Sequence, residues 1–347
     1  MRICVCATQV PFSRGGAEIH VESLHRELVR RGHEADLVTV PFAWHSRLQL
    51  LKSAYAWRLL DLHSTTGQRP DLVIATRFPS YLIGHPNKVV WLIHQFRQAY
   101  DLLGTPYSDF GDGPEDRATL AMVRRMDGRA LAEARALFTN AGNTAARLRR
   151  FNGLEATPLY APPPLDGRYH DGPFGDYVFA AGRLDELKRF ALLVDAMRHV
   201  ESGVRCKIAG SGPESESLRR RIEEAGLAGR VELLGWVEDD ELLDLYAGSL
   251  AVFYAPFDED YGYVTVEAFK SGKPVLAATD SGGVLEFVED GRTGFVCAPD
   301  SPRDFARRVD ELYGDRELAL RLGREGARRV ADICWDRAIA ALTEAGP

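Results

Sequence analysis

A chain of 347 residues with 45% apolar side chains is long enough for two domains, each with its own buried core. Its formal charge of −7 argues against a general nucleic-acid binder, whose domains are usually basic, but not against anionic small ligands. Five cysteines without a C-x-x-C pair, four of them in apolar strand-like runs, read as buried thiols in a reducing compartment. No apolar run approaches the ~18 residues that span a bilayer. The first residues enter a strand at once instead of forming a signal segment. The expected location is the cytoplasm, with peripheral contact at the inner membrane face left open.

Arg2 to Ala7 reads as a short apolar strand, broken by Pro11 to Gly16 before a helix whose face is Ala17, Val21, Leu24 and Leu28. Strand-like Ala35 to Val40 follows Gly32. Gly15-Gly16 therefore stands at a helix N-terminus after a strand, where backbone N–H groups and the positive dipole end suit an anion. An ordinary glycine turn is the other reading. The absence of G-x-G-x-x-G counts against a nicotinamide enzyme. Leu48, Leu51, Tyr55, Leu59 and Leu62 recur at helical spacing, with Arg47, Lys52 and Arg58 among the polar positions. A core-facing helix is the expectation, and a basic amphipathic membrane-surface helix the alternative.

Strands are expected at Asp71 to Ala75 and Lys88 to Ile93, the second ending in His94, a place where α/β sites gather. Phe96, Arg97, Tyr100 and Tyr107 lead into a loop rich in Gly, Asp and Pro through Pro114, which we assign to the acceptor side. The basic run Arg117 to Arg150 reads as helix, strand (Leu137 to Thr139) and helix. Its arginines suit an anionic acceptor or lipid headgroup, or simply form a solvated face. Pro158 and Pro162 to Pro164, then Asp166-Gly167 and polar residues to Asp176, form a linker. The expected domains are residues 1–160 and 177–330, joined by 161–176.

Tyr177 to Ala181 opens a second β-α-β series, continued by strands at Arg205 to Ala209, Val231 to Leu234, Leu250 to Tyr254, Val275 to Ala278 and Phe295 to Val296. Strands alternating with helices imply a parallel, doubly wound sheet. The first strand-to-helix turn runs from Gly182 through Arg183 to Lys188. A guanidinium fork and a compact ammonium there suit a diphosphate. Gly210-Ser211-Gly212 follows the next strand, and Gly235-Trp236-Val237 the one after. Leu250 to Tyr254 empties into an acidic, aromatic loop, Asp258 to Gly262, before a helix that stops at Gly272 and Pro274. Glu259 on the loop and Glu267 inside the helix present two carboxylates that accept hydrogen bonds from sugar hydroxyls. Gly262 lets the backbone approach a ligand, and Gly282-Gly283 repeats the device. Ser301-Pro302-x-Asp304 is a helix start by its capping chemistry.

The order Glu259, Glu267, Ala268, Gly272-Lys273-Pro274, Gly282-Gly283 and Glu286 resembles the E-x7-E region of retaining GT-B glycosyltransferases, family 4. The resemblance implies an α/β fold of two Rossmann-like doubly wound domains facing a cleft, with residues 331–347 returning as a helix to complete the first. It implies that Arg183 and Lys188 hold the departing diphosphate, Glu259 the donor sugar and Glu267 the ribose. Gly15 and Gly16 then lie against the diphosphate, Gly210 and Gly212 floor the nucleotide pocket, and the backbone at Val237 meets the base. Tyr261, Gly262 and Tyr263 complete the donor set. His94 faces the sugar, though Gln95 follows it where the family usually has Asp, and Arg97 and Tyr100 are acceptor-side candidates. The implied reaction is metal-independent, retaining transfer from a UDP- or GDP-sugar to a glycan, lipid-linked or small-molecule acceptor. The nucleotide sugar is a co-substrate, and no cofactor is expected. Three rivals remain: a D-x-D metal enzyme built on Asp258 and Asp260, a GT-B sugar-nucleotide epimerase, and an inactive sugar-nucleotide-binding partner.

Overall fold

The computed structural model describes residues 1–12, 15–63, 67–105 and 108–345. The chain divides into two compact units, Met1–Pro164 with Cys334–Pro347, and Leu165–Ile333. The first holds strands β1 (Arg2–Gln9), β2 (Glu34–Pro41), β3 (Leu72–Arg77), β4 (Lys88–His94), β5 (Ala136–Thr139) and the two-residue β6 (Thr157–Pro158). Its helices are α1 (Gly16–Arg30), α2 (Arg47–Leu59), α3 (Pro114–Ala132) and α4 (Gly142–Asn152). The strands lie in the order β2-β1-β3-β4-β5-β6, all parallel. A parallel strand covered on both faces carries no polar alternation, which is why Leu72 to Ala75 and Lys88 to Ile93 are buried without interruption.

The second unit contains β7 (Tyr177–Ala181), α5 (Phe190–Met197), β8 (Arg205–Ala209), α6 (Ser215–Glu224), β9 (Val231–Gly235) and α7 (Asp239–Ala247). It continues with β10 (Ala251–Phe253), α8 (Tyr263–Lys270), β11 (Val275–Ala278), β12 (Gly294–Cys297), α9 (Pro302–Gly314) and α10 (Arg316–Arg329). The order β12-β11-β10-β7-β8-β9 is again all parallel. Strand order reverses between β1 and β3 in the first sheet and between β7 and β10 in the second. At such switch points the loops leaving the carboxyl ends part in opposite directions and open a ligand crevice. The loops after β7 and β10 are the ones that carry Arg183, Lys188 and Glu259.

The chain then returns to the first unit as α11 (Trp335–Glu344). Trp335 meets Trp91 of β4 edge-on at 6.3 Å, and Asp336 pairs with Arg31. Residues 161–176 are shared between the units: Ala161 to Pro164 close the first, while the rest packs on the second. There the buried Lys273 ammonium donates to Gly172 O at 2.7 Å and lies 3.8 Å from the Phe174 ring centre.

Helix α2 corrects one expectation. Its buried face is Leu50, Ala54 and Trp57, whereas Leu48, Tyr55 and Leu59 of the expected core stripe are exposed by 60%, 47% and 81%. Two apolar series run through the same helix, and the one holding the large indole wins the core because it buries more area. Arg47 and Arg58 are tied to Asp116 and Glu133. Among the described residues no helix is long and apolar enough to cross a membrane.

Candidate active site

At the end of β7 the chain turns at Gly182 and runs through Arg183 to Lys188 before α5. The loop after β8 lies directly against this turn: Gly182 N donates to Ala209 O and Leu184 N to Ser211 O, each at 3.0 Å. A Cβ on Gly210 would stand 1.9 Å from Gly182 O, and one on Gly212 2.3 Å from Leu184 O. Only glycine allows that approach. Both residues, expected to floor a nucleotide pocket, therefore serve first to seat the Arg183 turn. Asp185 closes the turn by accepting the Lys188 N–H at 3.2 Å.

The loop after β10 is bolted to the same place. Phe257 N donates to Leu187 O at 2.8 Å, Asp258 N to Asp280 O at 2.9 Å, and Gly283 N to Glu259 O at 2.8 Å. As a result the Lys188 ammonium forms an ion pair with the Glu259 carboxylate and donates to the Tyr254 hydroxyl at 3.2 Å. The two side chains of the pair are 22% and 23% exposed, so solvent and a ligand can reach them. Burial works against the Lys188 charge, but Glu259 and Tyr254 outweigh it and raise its pKa above the ordinary lysine value. Arg183 stands exposed on the same turn without a side-chain partner among the described residues. One cation is thus held by a carboxylate and the other points to solvent.

Glu267 sits inside α8 and is only 8% exposed. It accepts a hydrogen bond from the Tyr246 hydroxyl at 2.6 Å, with Tyr169 beside it. Burial raises the pKa of its carboxyl, and the two tyrosines pull it back only in part. Gly262 precedes α8 with φ 81°, and a Cβ there would come within 2.6 Å of the Tyr254 ring. Tyr261 is buried against Phe287, and Tyr263 packs edge-on to Tyr261 at 5.4 Å. Val237 lies half-buried between β9 and α7, next to Trp236, which is 73% exposed. Among the described residues no cluster of three or more His, Cys, Asp or Glu side chains is placed to hold a metal ion.

In the first unit, Gly15 caps α1 and Gly16 begins it. The Gly15 N–H, offered by the resemblance to a diphosphate, donates here to Glu18 at 2.9 Å, and Glu18 is paired with Arg77 at the end of β3. His94 is half-buried, and its Nδ1 lies 2.7 Å from Gln95 O, which requires a proton on Nδ1 because a carbonyl only accepts. Arg97 is paired with Asp101 at 2.7 Å. Tyr107 lies outside the described residues. Tyr100 corrects a second expectation: it is buried, and its hydroxyl donates to Asp127 at 2.7 Å instead of facing an acceptor.

Asp127 is fully buried, and that burial pushes its pKa up to about 7 despite the opposing Tyr100 and Tyr81 hydroxyls. A raised folded pKa favours the fold when the group is protonated. The contribution is complete below about pH 4 and is lost as pH rises through 7. Asp127→Asn keeps an acceptor for Tyr100 and removes the titration. It should match the wild type in urea unfolding near pH 4 and exceed it at pH 8, by at most a few kcal/mol. A gap that does not widen between those pH values would sink this account.

Several partners were not visible from local sequence. Tyr254 reads only as the end of an apolar strand, and Tyr246, Tyr169, Arg189 and Asp280 carry no motif of their own.

Comparison with known proteins places these features in context. Residues 175–329 match the family model for glycosyl transferases group 1. The D-inositol 3-phosphate glycosyltransferase of Nocardia farcinica is 29% identical over 99% of this chain and 83% of its own length. That of Streptomyces avermitilis is 30% identical, but over 47% of this chain and 38% of its own length. Among solved structures, sucrose-phosphate synthase of Thermosynechococcus elongatus superposes with a TM-score of 0.77 at 19% identity, covering 99% of this chain and 97% of that one. Anabaena Alr3699/HepE, solved with UDP and glucose, gives 0.72 at 19% identity, covering 99% and 98%. At such identities the structural likeness establishes the fold alone, the GT-B fold of paired doubly wound units.

Proposed function

We propose that this chain, whose residues 175–329 match the family model for glycosyl transferases group 1, is a retaining glycosyltransferase. It moves a sugar from a UDP- or GDP-sugar to a hydroxyl acceptor and needs no divalent metal. The observation that carries this reading is the joining of Lys188 and Glu259 at the switch point of the second sheet, with Arg183 exposed on the same turn. Two cations beside a carboxylate suit a ligand that has a diphosphate next to a polyhydroxyl ring.

In the proposed step the acceptor oxygen bonds to the anomeric carbon on the face from which the diphosphate leaves. The carbon–oxygen bond to phosphate breaks with its electron pair on the phosphate oxygen, which takes the acceptor proton. Lys188 and Arg183 stabilise the charge that grows on that oxygen, Glu259 orients sugar hydroxyls, and Glu267 holds the ribose. Lys188 and Arg183 supply at the diphosphate the positive charge that a D-x-D metal would bring.

The complexes of Alr3699/HepE with UDP and UDP-glucose make UDP-glucose the first donor to test, and the inositol phosphate relatives suggest the first small acceptor. For a lipid-linked acceptor, peripheral membrane contact would fall to the exposed Leu48, Tyr55 and Leu59 of α2. The test is transfer from UDP-glucose and GDP-mannose to a panel of inositol phosphate, glycan and lipid acceptors, with and without EDTA. Activity should survive EDTA, and an α-linked donor should yield an α-linked product by NMR coupling constants. Loss in EDTA restored by Mn²⁺ and abolished by Asp258→Asn would transfer the site to the metal-dependent reading, and a β-linked product would reject retention.

A further inference from the structure

Next to Lys188 stands a residue that the reading above leaves unused. Arg189 is not glycine, yet it adopts the left-handed conformation, φ 54° and ψ 38°, between the Lys188 turn and α5. A side chain in that region is strained and persists only where its surroundings fix it. What fixes it is Asp280, which follows β11: Nη1 and Nη2 of Arg189 donate to its two carboxylate oxygens, each at 2.6 Å. The guanidinium also lies 5.3 Å from the Phe257 ring centre. Phe257 N is bonded to Leu187 O, and Asp280 O accepts Asp258 N. The bidentate pair thus closes a frame that joins the carboxyl ends of β7, β10 and β11, and Lys188 is the residue inside it.

We propose that Arg189 and Asp280 are positioning residues for the donor diphosphate, acting through Lys188; this rests on the donor reading above. Both guanidinium ends are spent on Asp280, so Arg189 is not itself the phosphate ligand. Its role is to hold the Lys188 backbone at one distance from Glu259 and from the crevice. A flexible lysine needs such a frame more than an arginine would, because a point charge on a four-carbon stem has no geometry of its own. Arg189→Gly suits the test, since glycine tolerates the left-handed backbone and removes only the clamp.

The experiment is a double-mutant cycle read by calorimetric affinity for the nucleoside diphosphate, UDP or GDP, that the wild type binds, and by turnover. Arg189→Gly should keep the wild-type Tm while affinity and turnover each fall by about tenfold, the scale expected when a charged group is misplaced by a fraction of an ångström. In a Lys188→Met background the same change should cost less than about twofold, because the residue through which it acts is gone. Asp280→Asn, which breaks the pair from the other side, carries the same cycle should Arg189→Gly fail to fold. A tenfold loss in both backgrounds, or in neither, overturns the proposal while leaving the donor reading intact. A wild type that binds neither UDP nor GDP overturns the donor reading and this proposal with it.

Discussion

Lys188→Met is expected to lower transfer by about 10²- to 10³-fold, the range found when one preorganised donor to a developing oxyanion is removed. Affinity for the intact nucleotide-sugar donor should fall too, by less, because its bridging phosphate oxygen carries less charge in the ground state than in the transition state. The structure supports a large effect for a specific reason. Lys188 is held in place before any ligand arrives, by the Tyr254 hydroxyl and by its own N–H on Asp185. Little reorganisation is then needed at the moment of reaction. Lys188→Arg should not restore activity, since the guanidinium fork does not fit a position framed for a point charge. The pH behaviour follows from the raised pKa: the folded state holds this proton more tightly than the unfolded chain. The ammonium charge is therefore fully present below about pH 10 and is lost only as pH rises through the higher folded value. An alkaline limb in turnover between pH 7 and 9 must then belong to another group. Steady-state kinetics and calorimetry of the variant check the prediction, and turnover within about threefold of wild type would take Lys188 out of the chemistry.

How far the sequence could be read depended on whether the deciding contacts were local. Most strands of both parallel sheets were legible, because a strand buried on two faces is a short apolar run. The exposed two-residue β6 at Thr157–Pro158 was missed, since Pro158 reads as linker. The loops bearing Arg183, Lys188 and Glu259 were legible for a related reason: each is an abrupt change from apolar run to glycine and charge at a strand end. Contacts between distant segments were not. Tyr246 reaches Glu267 across 21 residues, and Arg189 reaches Asp280 across 91, with no pattern in either neighbourhood to announce the pair. Helix α2 failed differently. Its periodicity was correctly helical, but two apolar series shared one helix, and only the fit of Trp57 into the core decides which faces inward. Tyr100 failed because a polar aromatic after a strand reads equally as a ligand contact or as a buried hydroxyl seeking a carboxylate. Asp127, twenty-seven positions away, settles that choice.

The Lys188–Glu259 pair has a further consequence, whose sign is unusual. A carboxylate and a diphosphate both seek the same ammonium, so the nucleotide must draw Lys188 partly away from Glu259 before it gains the full charge–charge contact. Glu259→Gln removes the competitor without removing the cation. Affinity for free UDP or GDP should then rise by roughly two- to fivefold, since a pair about one-fifth exposed is worth up to about 1 kcal/mol. Turnover should move the other way. The amide cannot accept from sugar hydroxyls on both of its terminal atoms, and losing a charge-assisted hydrogen bond of ~1.5 to 3 kcal/mol lowers the rate by about 10- to 150-fold. Tighter product binding would slow release as well, so single-turnover rates are needed to separate the two losses. Lys188→Met/Glu259→Gln should bind the free nucleotide no better than Lys188→Met alone, because the gain exists only while the ammonium is there to be released. If Glu259→Gln binds the nucleotide more weakly than wild type, Glu259 holds Lys188 in its working position instead of competing for it, and the pair must be read as a fixed part of the phosphate site.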